Sequence, residues 1–232
     1  MIFNKTKLSD VKWTILHAEK FPQGIFNNIE KYDKQILQTK CPAVTSIYNR
    51  LYTVNSFLDV DLEFGLKKEE PYLNYKFTDQ HPSTKALHNL INQSLNLKHE
   101  DNSRLELQIQ SPYAFVTDDK DIEVVSTPPN LEHENCVYIP GGFKPHSWIR
   151  PLHSSFAIKN INKQATIKLR FDKPFLTFFF NTSVNLGYVE ATEEMKSYSN
   201  SIFTLLNYRK KIESFCMNVI SRRPAKFLEH RK

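Results

Sequence analysis

The residues best equipped for chemistry lie between His133 and Ser155. His146 and His153 stand close together in KPHSWIRPLHSS, with His133 upstream. Imidazoles gathered with a carboxylate are the ligand set of a non-haem iron or cupin-type centre, which on a β-scaffold would make a metal-dependent oxygenase or hydrolase. The spacing is incomplete for that purpose. There is no HxH, and the H-x-D match, His99-Glu100-Asp101, falls in a polar stretch ahead of the strand-rich region. Histidines that are exposed, or hydrogen-bonded for structural reasons, fit the same pattern.

A second group is Tyr138, Phe143, Trp148 and Arg150. A guanidinium among flat rings stacks on them and presents its N–H donors to an anion. The alternative is a core tryptophan with a structurally paired arginine. Ser154 and Ser155 beside His153 suggest a nucleophile and a base. Neighbours on a strand point to opposite faces, so His153 and Ser154 do not pair, and no GxSxG elbow is present. Cys41, at a possible helix start, has no evident His or Asn partner, which points to a core or capping role. Asp59, Asp61 and Glu63 alternate with apolar residues and are expected on the wet face of one strand. A metal or acid–base site there would need partners from elsewhere.

The chain that must position these groups has 232 residues, with 17 Phe and 10 Tyr but only 5 Gly. No glycine pattern for a phosphate-cradling loop occurs. Three separated cysteines argue against a disulfide framework and for a reducing compartment. No apolar run is long enough to span a membrane, and MIFNKTKLSDVKW lacks the apolar core of a signal peptide. Residues 209–232 carry eight Lys or Arg against Glu213 and Glu229, which accounts for the whole formal charge of +6. Arg222, Arg223 and Lys226 in this tail are candidate contacts to nucleic acid or another anionic partner. A solvated, solubilising helix end is the plainer reading.

The periodicity predicts an α+β fold: a β-rich sandwich or jelly-roll-like core with a C-terminal amphipathic helix. Residues 1–232 are expected as one domain, with a mixed α/β portion over 1–104, the β core over 105–190 and a helical end with a basic tail over 191–232. Leu58, Val60, Leu62 and Phe64 alternate with acids as a half-buried strand, as do Leu105, Leu107 and Ile109 with polar residues. Phe175–Phe180 is apolar throughout, as in a strand buried on both faces. Val44, Ile47, Tyr48 and Leu51 are spaced for a short helix opened by Cys41-Pro42. Leu87, Leu90, Ile91, Leu95 and Leu97 are spaced for a second, followed by a polar turn at His99–Arg104. Asp118–Asp121 is expected to turn a hairpin, with Ile122–Ser126 as its return strand. Trp148–Ile158 is expected as one strand. Thr192 before Glu193 and Glu194 caps the last helix, whose apolar stripe runs from Ile202 to Val219.

Several phrases resemble a loose group of proteins from the genomes of tailed phages, especially marine and cyanobacterial ones. The residues that carry the likeness are Cys41-Pro42-Ala43, FLDVDLEF, Ser111-Pro112-Tyr113, Pro128-Pro129, Ile139-Pro140-Gly141-Gly142-Phe143, Ser147-Trp148-Ile149-Arg150-Pro151 and Asp172-Lys173-Pro174-Phe175, over about residues 40 to 190. The group brings no activity with it. It implies a phage-encoded protein working in the host cytoplasm or in the virion.

Three functions follow as expectations. The first is a non-enzymatic binding or assembly protein with a host or virion protein as partner and no cofactor. The second is the metal enzyme through His133, His146 or His153. The third is nucleic-acid binding through the tail.

Overall fold

The structure, a computed structural model, describes residues 9–16, 29–31, 46–78, 85–101, 104–171 and 173–206. The first strands are β1 (Ser9–Ile15), β2 (Glu30–Lys31), β3 (Leu51–Asn55), β4 (Val60–Lys67) and β5 (Glu70–Phe77). Helix α1 (Lys85–Ser94) precedes β6 (Leu95–Asp101), β7 (Arg104–Gln110), β8 (Tyr113–Val116) and β9 (Val124–Thr127). Then come β10 (Glu132–Glu134), β11 (Cys136–Ile139), β12 (Gly142–Phe143) and β13 (His153–Ile158). The last elements are β14 (Ala165–Leu169), β15 (Pro174–Phe180), β16 (Val184–Tyr188) and helix α2 (Glu193–Leu206).

These strands form four sheets, ordered β16-β1-β8, β10-β14-β4-β5, β11-β13-β7-β6 and β12-β9-β15-β3-β2. Every pairing is antiparallel except β1 with β16. One continuous cluster of buried apolar side chains draws members from all four sheets, giving a β-rich, sandwich-like core. Edge-to-face ring pairs tie it together, with Phe115 5.2 Å from both Phe178 and Phe180. A second cluster joins Leu16, Ala114, Val116 and Ile149 to Met195 of α2.

The alternating strands form as expected. In β7, Leu105, Leu107 and Ile109 are fully buried, while Arg104, Glu106 and Gln108 take the other face. Leu58, Val60, Leu62 and Phe64 are likewise buried. In β15, Phe175 to Phe180 is buried except Phe179, which lies half-exposed beneath the Arg50 guanidinium. The backbone N–H of Met195 donates to Thr192 Oγ1, so Thr192 caps α2.

Other expectations are corrected. Asp59 is not on a wet face. It precedes β4, is 5% exposed, and meets Arg170 at 3.6 Å. Burial without a partner is costly for a carboxylate, and Arg170 supplies the countercharge. Asp118–Asp121 does not turn a hairpin. β8 pairs with β1, whereas β9 pairs with β12 and β15, so this acidic stretch carries the chain from one sheet to another. Trp148–Ile158 is not one strand. Pro145 and Pro151 remove donors on either side of Trp148, the N–H groups of Ser147 and Trp148 fold back to Lys144 O, and the strand begins at His153. Leu51 opens β3 rather than ending a helix; a single helical turn occupies 46–48, and residues 41–45 lie outside the described residues. Leu95 and Leu97 belong to β6; of the expected polar turn at 99–104, His99–Asp101 end β6 and Arg104 opens β7, paired with Asp101, while 102 and 103 lie outside the described residues.

Candidate functional site

The polar face of β7 is the floor on which a site is built. Arg104, Glu106 and Gln108 share it by the two-residue repeat of a strand. On the neighbouring β13, Ser155 lies opposite Gln108. The same repeat puts His153 beside Ser155 and turns Ser154 away, where its hydroxyl is buried and donates to Phe175 O. Across a cavity of about 160 Å³, these groups face Ser126, Ile139, Pro140, Gly141, Phe143, Arg150, Leu152 and Phe178.

The opposite rim is locked by local bonds. Ser126 donates its hydroxyl and its N–H to Gly141 O, and accepts from Gly141 N–H. This pins the Pro140–Gly141 turn and leads into Phe143. Leu152 N–H donates to Tyr113 O, and the N–H and hydroxyl of Ser111 both donate to Leu152 O. Ile149 is buried in the second core cluster beneath α2. Tyr198 of that helix donates to Ser147 O. With Ile149 and Leu152 anchored, Trp148 and Arg150 are held beside the cavity.

The guanidinium of Arg150 stacks on two rings, 4.3 Å from the Trp148 ring centre and 5.2 Å from that of Phe143. Such stacking offsets part of the cost of burying the charge. Burial pushes Arg150 down to about 10, so it stays cationic at neutral pH. Among the described residues no carboxylate pairs with it. Among the same residues, its Nε and the Trp148 Nε1 are both buried donors without an acceptor. Arg104, by contrast, meets Glu106 at 3.5 Å, and Gln108 donates to the other Glu106 oxygen at 3.1 Å. The Arg104 and Glu106 charges cancel, and Arg150 is left as the uncompensated charge. Burial, the Arg150 charge and the Lys98 charge push His153 down to about 4, so its imidazole is neutral.

The structure therefore brings Phe143, Trp148, Arg150 and His153 to one place. Tyr138 is adjacent rather than lining: its ring packs on Phe156, and burial raises its hydroxyl pKa, an effect the Ser126 hydroxyl opposes. The other two histidines lie elsewhere. His133 is exposed on β10, its ring 5.9 Å from that of Phe156. His146 is buried with Nδ1 3.4 Å from Ser147 Oγ. It lies near Asp119, whose pKa is lowered first by the Ser9 hydroxyl, then by the Asp121 N–H, and to a lesser degree by the His146 charge. Among the described residues no three His, Cys, Asp or Glu side chains come together to hold a metal. Arg222, Arg223 and Lys226, with Cys41, lie outside the described residues. Cys136 is fully buried, and burial pushes its thiol up to about 11, which suits a packing role. No helix among the described residues is long and apolar enough to cross a membrane.

Sequence reasoning missed Glu106, Gln108, Ser126 and Phe178 as cavity residues. The alternation of β7 shows which side chains leave the core, but not what stands over them. Searches of protein-family models, curated proteins and solved structures find no match to this chain.

Proposed function

We propose that this protein is a non-enzymatic binding protein and that the cavity beside Arg150 is its binding site for an anionic group. One observation carries the reading: among the described residues a stacked, largely buried guanidinium has no countercharge, and two buried N–H donors, its own Nε and the Trp148 Nε1, have no acceptor. Leaving such donors unmade costs about 1–3 kcal/mol each. A ligand bearing acceptor oxygens removes that cost on binding. The neighbouring groups favour holding over reacting. Ser154 is committed to Phe175 O, and a histidine near 4 is too weakly basic to serve as a general base at neutral pH.

The segments that carry the phage resemblance and line or flank the cavity are 139–143 and 147–151. On that ground the proposed setting is an infected bacterial cell or the phage particle. A ligand that binds the folded form raises the melting temperature. Thermal melting with a panel of sodium salts at constant ionic strength tests the reading. A rise with at least one organic or inorganic anion, absent in Arg150→Met, is expected. No anion-dependent rise, or an equal rise in the variant, would refute it.

A further inference from the structure

We propose that the anion is the carboxylate of a small organic acid, about six to eight heavy atoms beyond the carboxylate at most; this rests on the binding reading above. Size is the first argument. A cavity of about 160 Å³ is close to the roughly 150 Å³ space that holds one benzene in an apolar protein core. A nucleotide or a long chain would have to extend well outside it.

Charge is the second. Glu106 offsets Arg104 on the cavity floor, so among the described residues the lining offers one unit of positive charge, at Arg150. A single carboxylate balances that unit. A phosphate dianion brings a second negative charge towards Glu106, and the described lining residues hold no further cation to balance it.

Shape is the third. Phe143 and Trp148 both stack on the Arg150 guanidinium, and Arg150 itself lines the cavity, so its planar edge is the part offered to a ligand. A planar carboxylate meets that edge with two parallel N–H···O bonds. The Trp148 ring, 4.3 Å from the guanidinium carbon, stands beside the cavity and senses what binds at Arg150. Ile139, Leu152 and Phe178 give the acid's carbon body an apolar wall.

Nitrogen-15 NMR of the full chain reads this directly, because the Trp148 indole N–H reports the site and that of Trp13 serves as an internal control. The probes are benzoate, butyrate, benzamide, phenyl phosphate and inorganic phosphate. Benzoate and butyrate are expected to shift the Trp148 signal saturably. Benzoate is expected to bind about 10- to 100-fold tighter than its neutral counterpart benzamide, the size of a charge-assisted hydrogen-bond pair. Both phosphates are expected to bind at least about tenfold more weakly than benzoate. Arg150→Met removes the carboxylate preference. Arg150→Lys, which keeps the charge but not the fork, weakens benzoate by about tenfold and serves should the first variant misfold. Tighter binding of either phosphate overturns the ligand class while leaving an anion site. Equal binding of benzoate and benzamide overturns the role of charge. Failure of all five probes to move Trp148 removes the site itself.

Discussion

Arg170 follows β14 and touches Asp59, Asp61 and the carbonyls of Val60 and Leu169. Arg150 borders the cavity, and its described contacts are two aromatic rings. Both are partly buried arginines in one β-rich fold. The first is surrounded by acceptors, as expected of a residue that holds structure together. The second lines a space and, among the described residues, its buried Nε has no acceptor. Folding alone favours the first arrangement, because unpaired buried donors lower stability. The second arrangement makes sense as readiness for a ligand.

The widest gap between the two regions should come from removing Arg170. Arg170→Met strands the buried Asp59 carboxylate, and a loss of about 2–4 kcal/mol is expected, below the full cost of a sealed pair because Asp61 is half-exposed. Urea unfolding measures it. A loss under about 0.5 kcal/mol would place Arg170 among ordinary surface ion pairs and dissolve the contrast.

Asn135 extends the satisfied side of the comparison. It sits at φ 51° between β10 and β11. Its Nδ2 donates to the carbonyls of Asn160, Lys163 and Gln164, and its Oδ1 accepts from Asn160 N–H. Asn135→Ala loses these bonds and places Ala in the left-handed region, at a cost of about 2–3 kcal/mol. Thermal or urea unfolding checks this; an unchanged midpoint would mean the turn holds without its side chain.

His153 sharpens the unsatisfied side through pH. Its folded value of about 4 lies below its ordinary 6.5. As pH falls, the unfolded chain takes up the proton first. The neutral imidazole's contribution is therefore full above 6.5 and is lost as pH falls towards about 4. Between pH 7 and 4 the protein should lose on the order of 2–3 kcal/mol more than His153→Gln, which does not titrate there. Urea midpoints of both proteins at the two pH values give the difference. Equal losses would mean that His153 is hydrated.

Much of the fold was legible because its strands are one-sided. Leu105, Leu107 and Ile109 repeat with the pitch of the pleat, and burial on one face demands that repeat. The C-terminal helix announced itself through Thr192, a local bond. Partner choice was not legible. A short acidic stretch between two apolar runs looks the same whether it turns a hairpin or passes between sheets, and Asp118–Asp121 does the latter. Asp59 looked solvated because Arg170, far along the chain, is invisible to periodicity. The site divides the same way. Phe143, Trp148 and Arg150 are neighbours in sequence and could be grouped by residue type. Glu106, Ser126 and Phe178 come from three other strands and meet them only in the folded chain.

The smallest expected effect concerns backbone strain outside the cavity lining. Lys68 and Glu69, at φ 53° and 67°, close the β4–β5 hairpin in a conformation that favours Gly or Asn. Glu69→Gly should raise stability by about 0.5–1 kcal/mol and leave benzoate binding unchanged. A change in binding would tie this hairpin to the cavity and blur the distinction between the two regions.

The most direct measurement is the urea unfolding free energy of Arg150→Met beside that of the natural chain. Losing two ring contacts and relieving an unpaired charge should nearly cancel, so a difference within about 1 kcal/mol is predicted, together with loss of anion-dependent stabilisation. A loss above about 2 kcal/mol, of the kind expected for Arg170→Met, would show that Arg150 is held for folding and contradict its assignment to a ligand.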